Sequence, residues 1–531
     1  MTAWILIILF IFVMLGIGVW GMQKTKTLGD YFLGGRTLGP WMSAFAYSTS
    51  YFSAVMFIGF AGKLGWAFGI HVLWISLGNV LFGALLAWFV LGYRTRRMSQ
   101  NLEVMTMPEF FEARLQAPGI KIFSAIIIFL FLLPYSASVF QGLGYLFEVS
   151  FGMNYPTAIL IMCVVTAIYL ILGGYFAVAL NDFIQGMVMI LGTLLMVSIL
   201  TGKAGGLTET VQAIQVNYAQ HIPKMNWILL SATVFMTSFG VWGLPQMVQK
   251  FYAIHDEKQI ARAAIITTCF SFIIVFSAYF VGSMSHLFYD PPTRESAEKD
   301  ILAAKDSAQA KILSEEKKTA WNTREKTLHS VPAPAIIRGE HVVPDFDKFV
   351  PDILYNTLPE IFMTIIVLLV LSASMSTLSS LVLVSSSSIA IDLYQGIRRG
   401  DESSGNSLVL IRFLSGLFIL ISFFIALSKF EVIVTLMSLS WGSVTGVFMA
   451  PYLLALYWKG ITRVGTWAGM ISGLVTNTLL FFILGPQNAP IAASAAMIVP
   501  FFIIPLVSFW TKPPEKAVLQ LAFTGNKNNN E

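Results

Sequence analysis

Long apolar runs recur along the chain and are separated by shorter polar segments. An α-helix needs about 17–25 apolar residues to cross the hydrocarbon core of a bilayer. In lipid, every backbone N–H and C=O group must find a partner within the protein, which a helix achieves within one segment. The pattern therefore predicts an all-α polytopic protein, multi-pass in the plasma (inner) membrane.

The composition supports this prediction. Of 531 residues, 56% are apolar and 11% are charged, whereas a soluble domain carries roughly 25% charged residues. The first run begins at Trp4 with no basic residue before it and no small-residue cleavage site after it, so we expect a retained span rather than a signal peptide. We count about thirteen spans, with approximate bounds 3–22, 40–62, 67–92, 119–147, 155–175, 182–201, 227–249, 262–287, 358–385, 407–428, 430–457, 464–485 and 490–511.

Basic residues follow the odd-numbered spans. Because positively charged loops stay in the cytoplasm, we expect the N-terminus outside and the C-terminus in the cytoplasm. The net charge of +5 then orients the chain and does not indicate a nucleic-acid partner. The residues concerned are Lys24, Lys26, Arg36, Arg94, Arg96, Arg97, Lys250, Lys258, Arg262, Arg398, Arg399, Lys459, Arg463, Lys512 and Lys516.

The segment 288–355 differs from the rest, since it holds ten Lys/Arg and twelve Asp/Glu residues and is expected outside. From Arg294 to Leu328 it is rich in Ala, Lys and Glu without Gly or Pro, which favours an exposed helix ended by Pro332 and Pro334. This insert could be a lid over an outer vestibule or a passive surface helix.

Several function classes are disfavoured. Cys163 and Cys269 lie inside apolar runs, so we expect two buried thiols and neither a disulfide nor a metal site. The six His residues are scattered without metal-ligand spacing, which argues against an enzyme. A channel would need rings of charge or filter carbonyls. A transporter-like membrane sensor would need a long cytoplasmic domain, and only about twenty residues follow Trp510.

The second span, SAFAYSTSYFSAVMFIGFAG over residues 43–62, is interrupted by hydroxyls. Such a helix can unwind in mid-membrane, where freed carbonyls suit a small alkali cation and helix N-termini suit an anionic group. A Ser/Thr-rich packing face would give the same pattern. The polar positions are Ser43, Ser48, Thr49, Ser50 and Ser53, and Gly59 and Gly62 follow them.

The seventh span contains FGVWGLPQMVQKF over residues 239–251, with Gly240 and Gly243 just before Pro245. Glycine frees the backbone and proline removes a donor, so a break near Gly243 to Pro245 is favoured over a simple kink. The second and seventh spans are five helices apart. That separation is expected of the first helices in two inverted five-helix repeats.

The ninth span carries a dense hydroxyl run, LSASMSTLSSLVLVSSSSIAIDLY over residues 371–394. Ser376 shares a helix face with Ser379 and Ser380, Ala373 lies one turn earlier and Thr377 is adjacent. This face could coordinate sodium through neutral oxygens, which suffice for a monovalent hard cation. Alternatively, each hydroxyl could bond to the carbonyl one turn back in its own helix.

Together these motifs resemble the sodium:solute symporter family over roughly residues 28–460. The resemblance implies a five-plus-five inverted-repeat core like that of the leucine transporter, formed by spans two to eleven. The motifs that carry it are DYFLGGRTLGPW (30–41), the second-span motif, LGGYFAVALNDFIQG (172–186), GLPQMVQKF (243–251) and SASMSTLSS (372–380).

The resemblance also implies a sodium site between the second and ninth spans. Its ligands would be the backbone carbonyls of Thr49, Phe52 and Ala373 and the hydroxyls of Ser376 and Thr377. Some members hold a second sodium, and the matching residues here are Asp182, Ser379 and Ser380. A solvated helix N-cap is the other interpretation of Asp182.

The motifs do not decide the identity of the solute. YSASVFQG (135–142) and FGMNYPTA (151–158) look like the proline carriers, which however have an aspartate where this chain has Tyr51. FSAVMFIG, VALNDFIQGMVM and GVWGLPQ look more like the pantothenate and monocarboxylate carriers. No Lys or Arg within the membrane stands out as a carboxylate partner. The candidate solute-binding residues are Ser50, Tyr51, Ser53, Tyr135, Trp242, Pro245, Gln246 and Trp441.

The chain is therefore expected to be a secondary active transporter, in which sodium influx drives uptake of a small polar solute by alternating access. We expect a monomeric functional unit in the bilayer, with Na⁺ as the coupling ion and no nucleic acid bound. A membrane sensor and a sodium-independent carrier are the alternatives. The predicted parts are an extra N-terminal helix (1–28), the core (29–460), two C-terminal spans (461–512) and a cytoplasmic tail (513–531).

Overall fold

The computed structural model describes residues 2–24, 27–222, 224–305, 307–321, 330–338, 341–395, 404–429 and 432–525. Within them, ten helices are long and apolar enough to cross a membrane, or eleven if one bent pair counts as a single span. The all-α polytopic prediction is confirmed. The sidedness of the chain stays a prediction, and Arg398 and Arg399 lie outside the described residues.

The helices are named here in chain order. They are α1 (Thr2–Lys24), α2 (Leu28–Leu33), α3 (Pro40–Tyr51), α4 (Ala61–Phe68), α5 (Leu73–Gly78), α6 (Tyr93–Asn101), α7 (Met107–Leu115), α8 (Pro118–Phe151), α9 (Tyr155–Lys203), α10 (Leu207–His221), α11 (Trp227–Phe239), α12 (Pro245–Ala253), α13 (Ile260–Ser283), α14 (Ser285–Phe288), α15 (Arg294–Lys305), α16 (Ser307–Trp321), α17 (Phe346–Thr357), α18 (Glu360–Ser387), α19 (Ser404–Leu427), α20 (Ile433–Tyr457), α21 (Arg463–Leu484), α22 (Ala489–Phe509) and α23 (Lys516–Thr524). Short 3-10 or π-helical segments join several of them, at Gly34–Arg36, Val55–Phe60, Gly69–Val72, Asn79–Leu86, Trp88–Gly92, Gly240–Trp242, Glu257–Gln259, Ser388–Gln395 and Pro486–Asn488.

Fewer helices than the thirteen predicted spans meet the length and hydropathy criteria, for two reasons. The span predicted at 40–62 is broken after α3, and its second half continues into a helical stretch over Val55–Asn101. The span predicted at 155–175 is a shorter apolar helix over Tyr155–Ile168. The chain bends after it at Gly174, whose φ of 65° and ψ of 172° interrupt α9.

The insert contains more than the single exposed helix that was predicted. The helical part divides into α15 and α16, and residues 322–329 lie outside the described chain. Two small sheets were not predicted, because strands of two to four residues leave no recognisable alternation. Strand β1 (Tyr289–Asp290) pairs in parallel with β2 (Val331–Pro332), and β3 (Ala335–Arg338) pairs antiparallel with β4 (His341–Pro344).

The insert is anchored to the transmembrane core through α17. The Asp347 carboxylate accepts a hydrogen bond of 3.2 Å from the Ile433 N–H and so caps the start of α20. A Cβ atom on Gly62 would lie 2.3 Å from the Phe346 carbonyl oxygen, so the backbones are in direct contact. Burial, together with the nearby Asp345, raises the pKa of Asp347 to about 7. This carboxyl group therefore takes up a proton close to neutral pH.

Three predictions about individual side chains were wrong. Lys250 is fully buried and Arg96 is 3% exposed, although both were assigned to solvated loops from their place at the end of an apolar run. Arg96 donates to the carbonyls of Ile254 and His255. Cys269 is exposed on its span rather than buried, because an apolar run does not reveal which helix face meets lipid.

Helices α4 and α13 pack backbone against backbone through two glycines. A Cβ atom on Gly282 would lie 2.1 Å from the Ala61 carbonyl oxygen, and one on Gly65 would lie 2.2 Å from the Gly282 carbonyl carbon. Small residues permit this close approach between membrane helices.

Gly282→Ala should therefore lower the free energy of unfolding by about 1–3 kcal/mol, since overpacking forces the two backbones apart. Thermal unfolding of the purified protein in detergent measures the change. Gly416→Ala is the matched control, because a Cβ atom there would meet nothing within 4 Å. Equal stability of the two variants would contradict the contact.

Candidate ion and solute site

Helix α3 ends in the interior of the protein. The backbone is extended at Phe52 (φ −108°, ψ 97°), and the helical path resumes in a π-helical segment at Val55. The Ser53 hydroxyl accepts a bond of 3.2 Å from the Val55 N–H. The break therefore brings the carbonyl end of one half-helix next to the N–H end of another, as the hydroxyl-rich sequence predicts.

A second break divides α11 from α12, so the prediction from the glycines and the proline is confirmed. The two segments meet at an angle of 42°. Leu244 is extended, and Pro245 begins α12 at a position where the missing N–H costs nothing. A Cβ atom on Gly243 would lie 2.8 Å from the Met449 backbone nitrogen, so only glycine fits there.

The first break faces the hydroxyl-rich helix α18. The Ser376 hydroxyl donates to the Thr49 hydroxyl at 2.7 Å. The Thr377 hydroxyl lies 3.4 Å from the Thr49 carbonyl oxygen and 3.3 Å from that of Ser50. These two hydroxyls bond across to α3 and not to their own helix. Ser374, by contrast, bonds back to the Val370 carbonyl at 2.6 Å.

The five residues predicted to bind sodium come together in this region. Thr49, Ser376 and Thr377 are in direct contact, and Phe52 follows them at the break. Ala373 lies one turn before Ser376 on α18 and is fully buried. The arrangement gathers hydroxyl and carbonyl oxygens from two helices, which is the ligand type that hard cations prefer.

The residues predicted for a second sodium are less free to bind one. The Ser379 hydroxyl donates to the Ser376 carbonyl in its own helix at 2.7 Å. Asp182 and Lys250 are both fully buried, and their charged atoms are 4.0 Å apart. The Lys250 ammonium donates to the Ser380 hydroxyl at 2.9 Å. No Lys or Arg within the membrane stood out in the sequence as a carboxylate partner, but Lys250 is buried on α12 and lies beside the carboxylate of Asp182.

A small cavity lies beside the first break. Of the predicted solute-binding residues, Tyr51, Ser53 and Trp441 line it. None of the residues that line it is charged. The remaining lining residues are Phe52, Met56, Phe60, Asn79, Thr237, Tyr279 and Met437.

The other predicted solute-binding residues lie outside this lining. The Ser50 hydroxyl is bonded to that of Ser380 at 2.8 Å. The Tyr135 ring packs edge-on against Trp441 at 6.0 Å, and the Trp242 indole N–H donates to the Phe82 carbonyl. Gln246 is 2% exposed and its side-chain oxygen accepts no hydrogen bond from the described residues.

Pro245 lines a second small cavity, together with Phe32, Met105, Thr106, Met107, Pro108, Ile128, Gln249, Tyr252, Val384, Ser387 and Ser388.

Sequence reasoning missed Asn79 and Thr237 as lining residues. Asn79 is a single amide in an otherwise apolar stretch of the third span, and its place in the middle of that span is a signal that could have been used. Its side-chain oxygen accepts a bond of 3.2 Å from the Ser238 hydroxyl. Thr237 contacts Tyr51 through its backbone carbonyl, which accepts a hydrogen bond of 2.7 Å from the Tyr51 hydroxyl. Every residue has such a carbonyl, so the sequence gives no sign of this contact.

Most of the chain matches the profile of a known protein family. The profile of the sodium:solute symporter family matches residues 31–305 and 331–473. The chain belongs to the sodium:solute symporter family. It is accordingly a sodium-coupled solute symporter, a multi-pass protein of the cell membrane and not an enzyme.

Members of the family that resemble the chain include the osmoregulated proline transporter OpuE of Bacillus subtilis, at 30% identity over 97% of this chain and 96% of that protein. Sodium/proline symporter 2 of Staphylococcus saprophyticus is 28% identical over 88% of this chain and 84% of that protein. A solved Na⁺-coupled sialic acid symporter superposes with a TM-score of 0.75 at 16% identity, covering 97% of this chain and 98% of that one. The five-plus-five fold prediction is confirmed by this likeness.

Tyr51 connects the break to the opposite wall of the cavity. Besides its bond to Thr237, its ring stacks on Phe52 at 4.3 Å and lies parallel to Trp441 at 6.4 Å. A Cβ atom on Gly83 would lie 2.2 Å from the Tyr51 hydroxyl, which shows how closely the ring is held.

We predict that Tyr51→Phe raises the KM for solute several-fold, because the phenol both lines the cavity and fixes its wall. Tyr47→Phe is the matched control. Its hydroxyl also bonds a backbone carbonyl, that of Gly83 at 2.7 Å, but its ring does not line the cavity. Each variant loses one buried hydrogen bond, at about 0.5–1.5 kcal/mol. Uptake kinetics in proteoliposomes measure the KM of both variants. Equal changes in KM would contradict the assignment of Tyr51 to the solute site.

Proposed function

We propose that the symporter carries a small zwitterionic amino acid, with proline as the first candidate, and that sodium binds between α3 and α18. The observation that carries the proposal is an uncharged cavity at a helix break, adjoined by hydroxyls that bond across two helices. The proposal thus gives ion and solute neighbouring sites at one break.

The proposed sodium ligands are the carbonyls of Thr49, Phe52 and Ala373 with the hydroxyls of Ser376 and Thr377. All five residues are at most 1% exposed. Neutral oxygens hold a monovalent ion without leaving a buried charge behind when it departs. The ion would also coordinate carbonyls that the break frees from helical hydrogen bonds, and such groups need a partner in a dry region.

The shape of the break favours a zwitterion over an anion. The carbonyl end of α3 carries partial negative charge, and the N–H end at Val55 carries partial positive charge. An amino acid offers an ammonium group to the first and a carboxylate to the second. Tyr51 stands where an aspartate would supply a full charge, so we propose that the helix end replaces it.

An organic anion such as a monocarboxylate or pantothenate fits the cavity less well. It would bring net negative charge to a lining that has no Lys, Arg or His. The buried ammonium of Lys250 is already bonded to Ser380 and close to Asp182. The names of OpuE and of sodium/proline symporter 2 also support proline as the solute to test first.

In the proposed mechanism, sodium joins α3 to α18 and so stabilises the state in which the cavity accepts solute. Solute binding at the break then favours closure on one side and opening on the other. Each sodium ion that crosses 100 mV contributes about 2.3 kcal/mol before its concentration gradient is added. Because all proposed ligands come from one chain, we propose that the monomer is the functional unit.

We predict that Ser376→Ala and Thr377→Ala each raise the sodium concentration for half-maximal uptake about tenfold, a loss of about 1.4 kcal/mol in ion binding. Ser374→Ala on the same helix is the control, since its hydroxyl bonds only within α18 among the described residues. Sodium titration of uptake in proteoliposomes measures the shift. An unchanged sodium concentration for half-maximal uptake in both variants would contradict a sodium site at this position.

The solute is tested with the purified protein in proteoliposomes under an inward sodium gradient. We expect labelled proline to accumulate, and a potassium gradient to give none. Competition with pantothenate, short monocarboxylates and sugars should be weak. Accumulation of an organic anion instead of proline would contradict the argument from the uncharged cavity.

A further inference from the structure

Three helices contribute polar side chains to one point in the protein interior. Asp182 comes from α9, Lys250 from α12 and Ser380 from α18, and all three are at most 1% exposed. The Lys250 ammonium lies 2.9 Å from the Ser380 hydroxyl and 4.0 Å from the Asp182 carboxylate. It also lies 5.0 Å from the centre of the Tyr175 ring.

Some members of the family hold a second sodium, and the residues that match its ligands here are Asp182, Ser379 and Ser380. In this chain an ammonium group already bonds one of the three and approaches another. The third, Ser379, donates its hydroxyl to a carbonyl of its own helix. The Asp182 carboxylate lies 4.0 Å from the Lys250 ammonium, which is beyond hydrogen-bond distance, so these two groups interact through their charges.

We propose that the Lys250 ammonium is a built-in cation that takes the place of a second sodium, so that the transporter binds and moves one sodium ion per cycle. The inference rests on the proposed sodium site at Thr49, Ser376 and Thr377. Lys250 is a positioning residue in this scheme and does not contact the solute.

Charge balance supports the proposal. Asp182 and Lys250 together are neutral, and a sodium ion added beside them would leave a net positive charge away from water. Buried charges without a partner are strongly disfavoured. In the absence of Lys250, the carboxylate would be the unpaired charge, and a sodium ion would restore neutrality.

The ammonium also links the two broken helices. The Ser380 hydroxyl that accepts from Lys250 is bonded to the Ser50 hydroxyl at 2.8 Å, next to the break in α3. A fixed cation on α12 is therefore connected to α3 by two hydrogen bonds. A dissociable sodium ion at the same place would break this connection in every transport cycle.

The number of bound ions tests the proposal directly. Equilibrium binding of ²²Na⁺ to the purified full-length protein, without solute, should saturate at one ion per chain with a Hill coefficient of about one. Lys250→Met removes the charge at similar length, and its binding should rise towards two ions per chain. Lys250→Arg keeps a cation and should stay at one, and Lys250→Met combined with Asp182→Asn should return to one.

Two ions per chain in the unaltered protein would overturn the inference. So would a monodisperse Lys250→Met protein that still binds one ion. If Lys250→Met does not fold, the number of sodium ions bound per chain in the unaltered protein and in Lys250→Arg tests the proposal. Failure of the proposed function is distinguishable, because it would appear as absent proline uptake while the sodium count stays as predicted.

Discussion

The interruption of α3 between Tyr51 and Val55 is the constraint on which the rest of the structure depends. A backbone that leaves the helix inside a membrane protein needs partners for its free carbonyls and N–H groups. The chain supplies them from the hydroxyls of α18 and from Ser53 at the break itself. In the proposed site, a sodium ion uses the same oxygens that stabilise the break, so the structure of the break and the coupling depend on the same groups.

The surroundings of the break are held by few and specific contacts. Tyr51 spans the cavity to the carbonyl of Thr237 on α11, and Ser380 joins Ser50 on α3 to Lys250 on α12. Outside the membrane core, Asp347 fixes the start of α20. Polar bonds that can be exchanged thus connect α3 with α11, α12 and α18, whereas α4 and α13 are packed backbone to backbone.

Much of this arrangement could be predicted from the sequence, namely the parts that short motifs with several informative residues indicate. The glycines before Pro245 indicate the second break, and the run around Ser376 indicates a polar helix face. Lys250 could not be placed, because a single lysine at the end of an apolar run looks the same whether it enters a loop or turns inward towards Asp182. The lining position of Tyr279 was missed for a related reason, because hydropathy does not show which face of a helix meets the cavity.

Solute binding with and without sodium tests the coupling most directly. If sodium fixes the break that forms the solute site, each ligand must strengthen the binding of the other by the same factor. We expect calorimetry on the purified protein to show proline binding at least about tenfold more tightly in sodium than in potassium, with a matching gain in sodium affinity when proline is present. Proline affinity that is equal in sodium and potassium would contradict a shared site at the break.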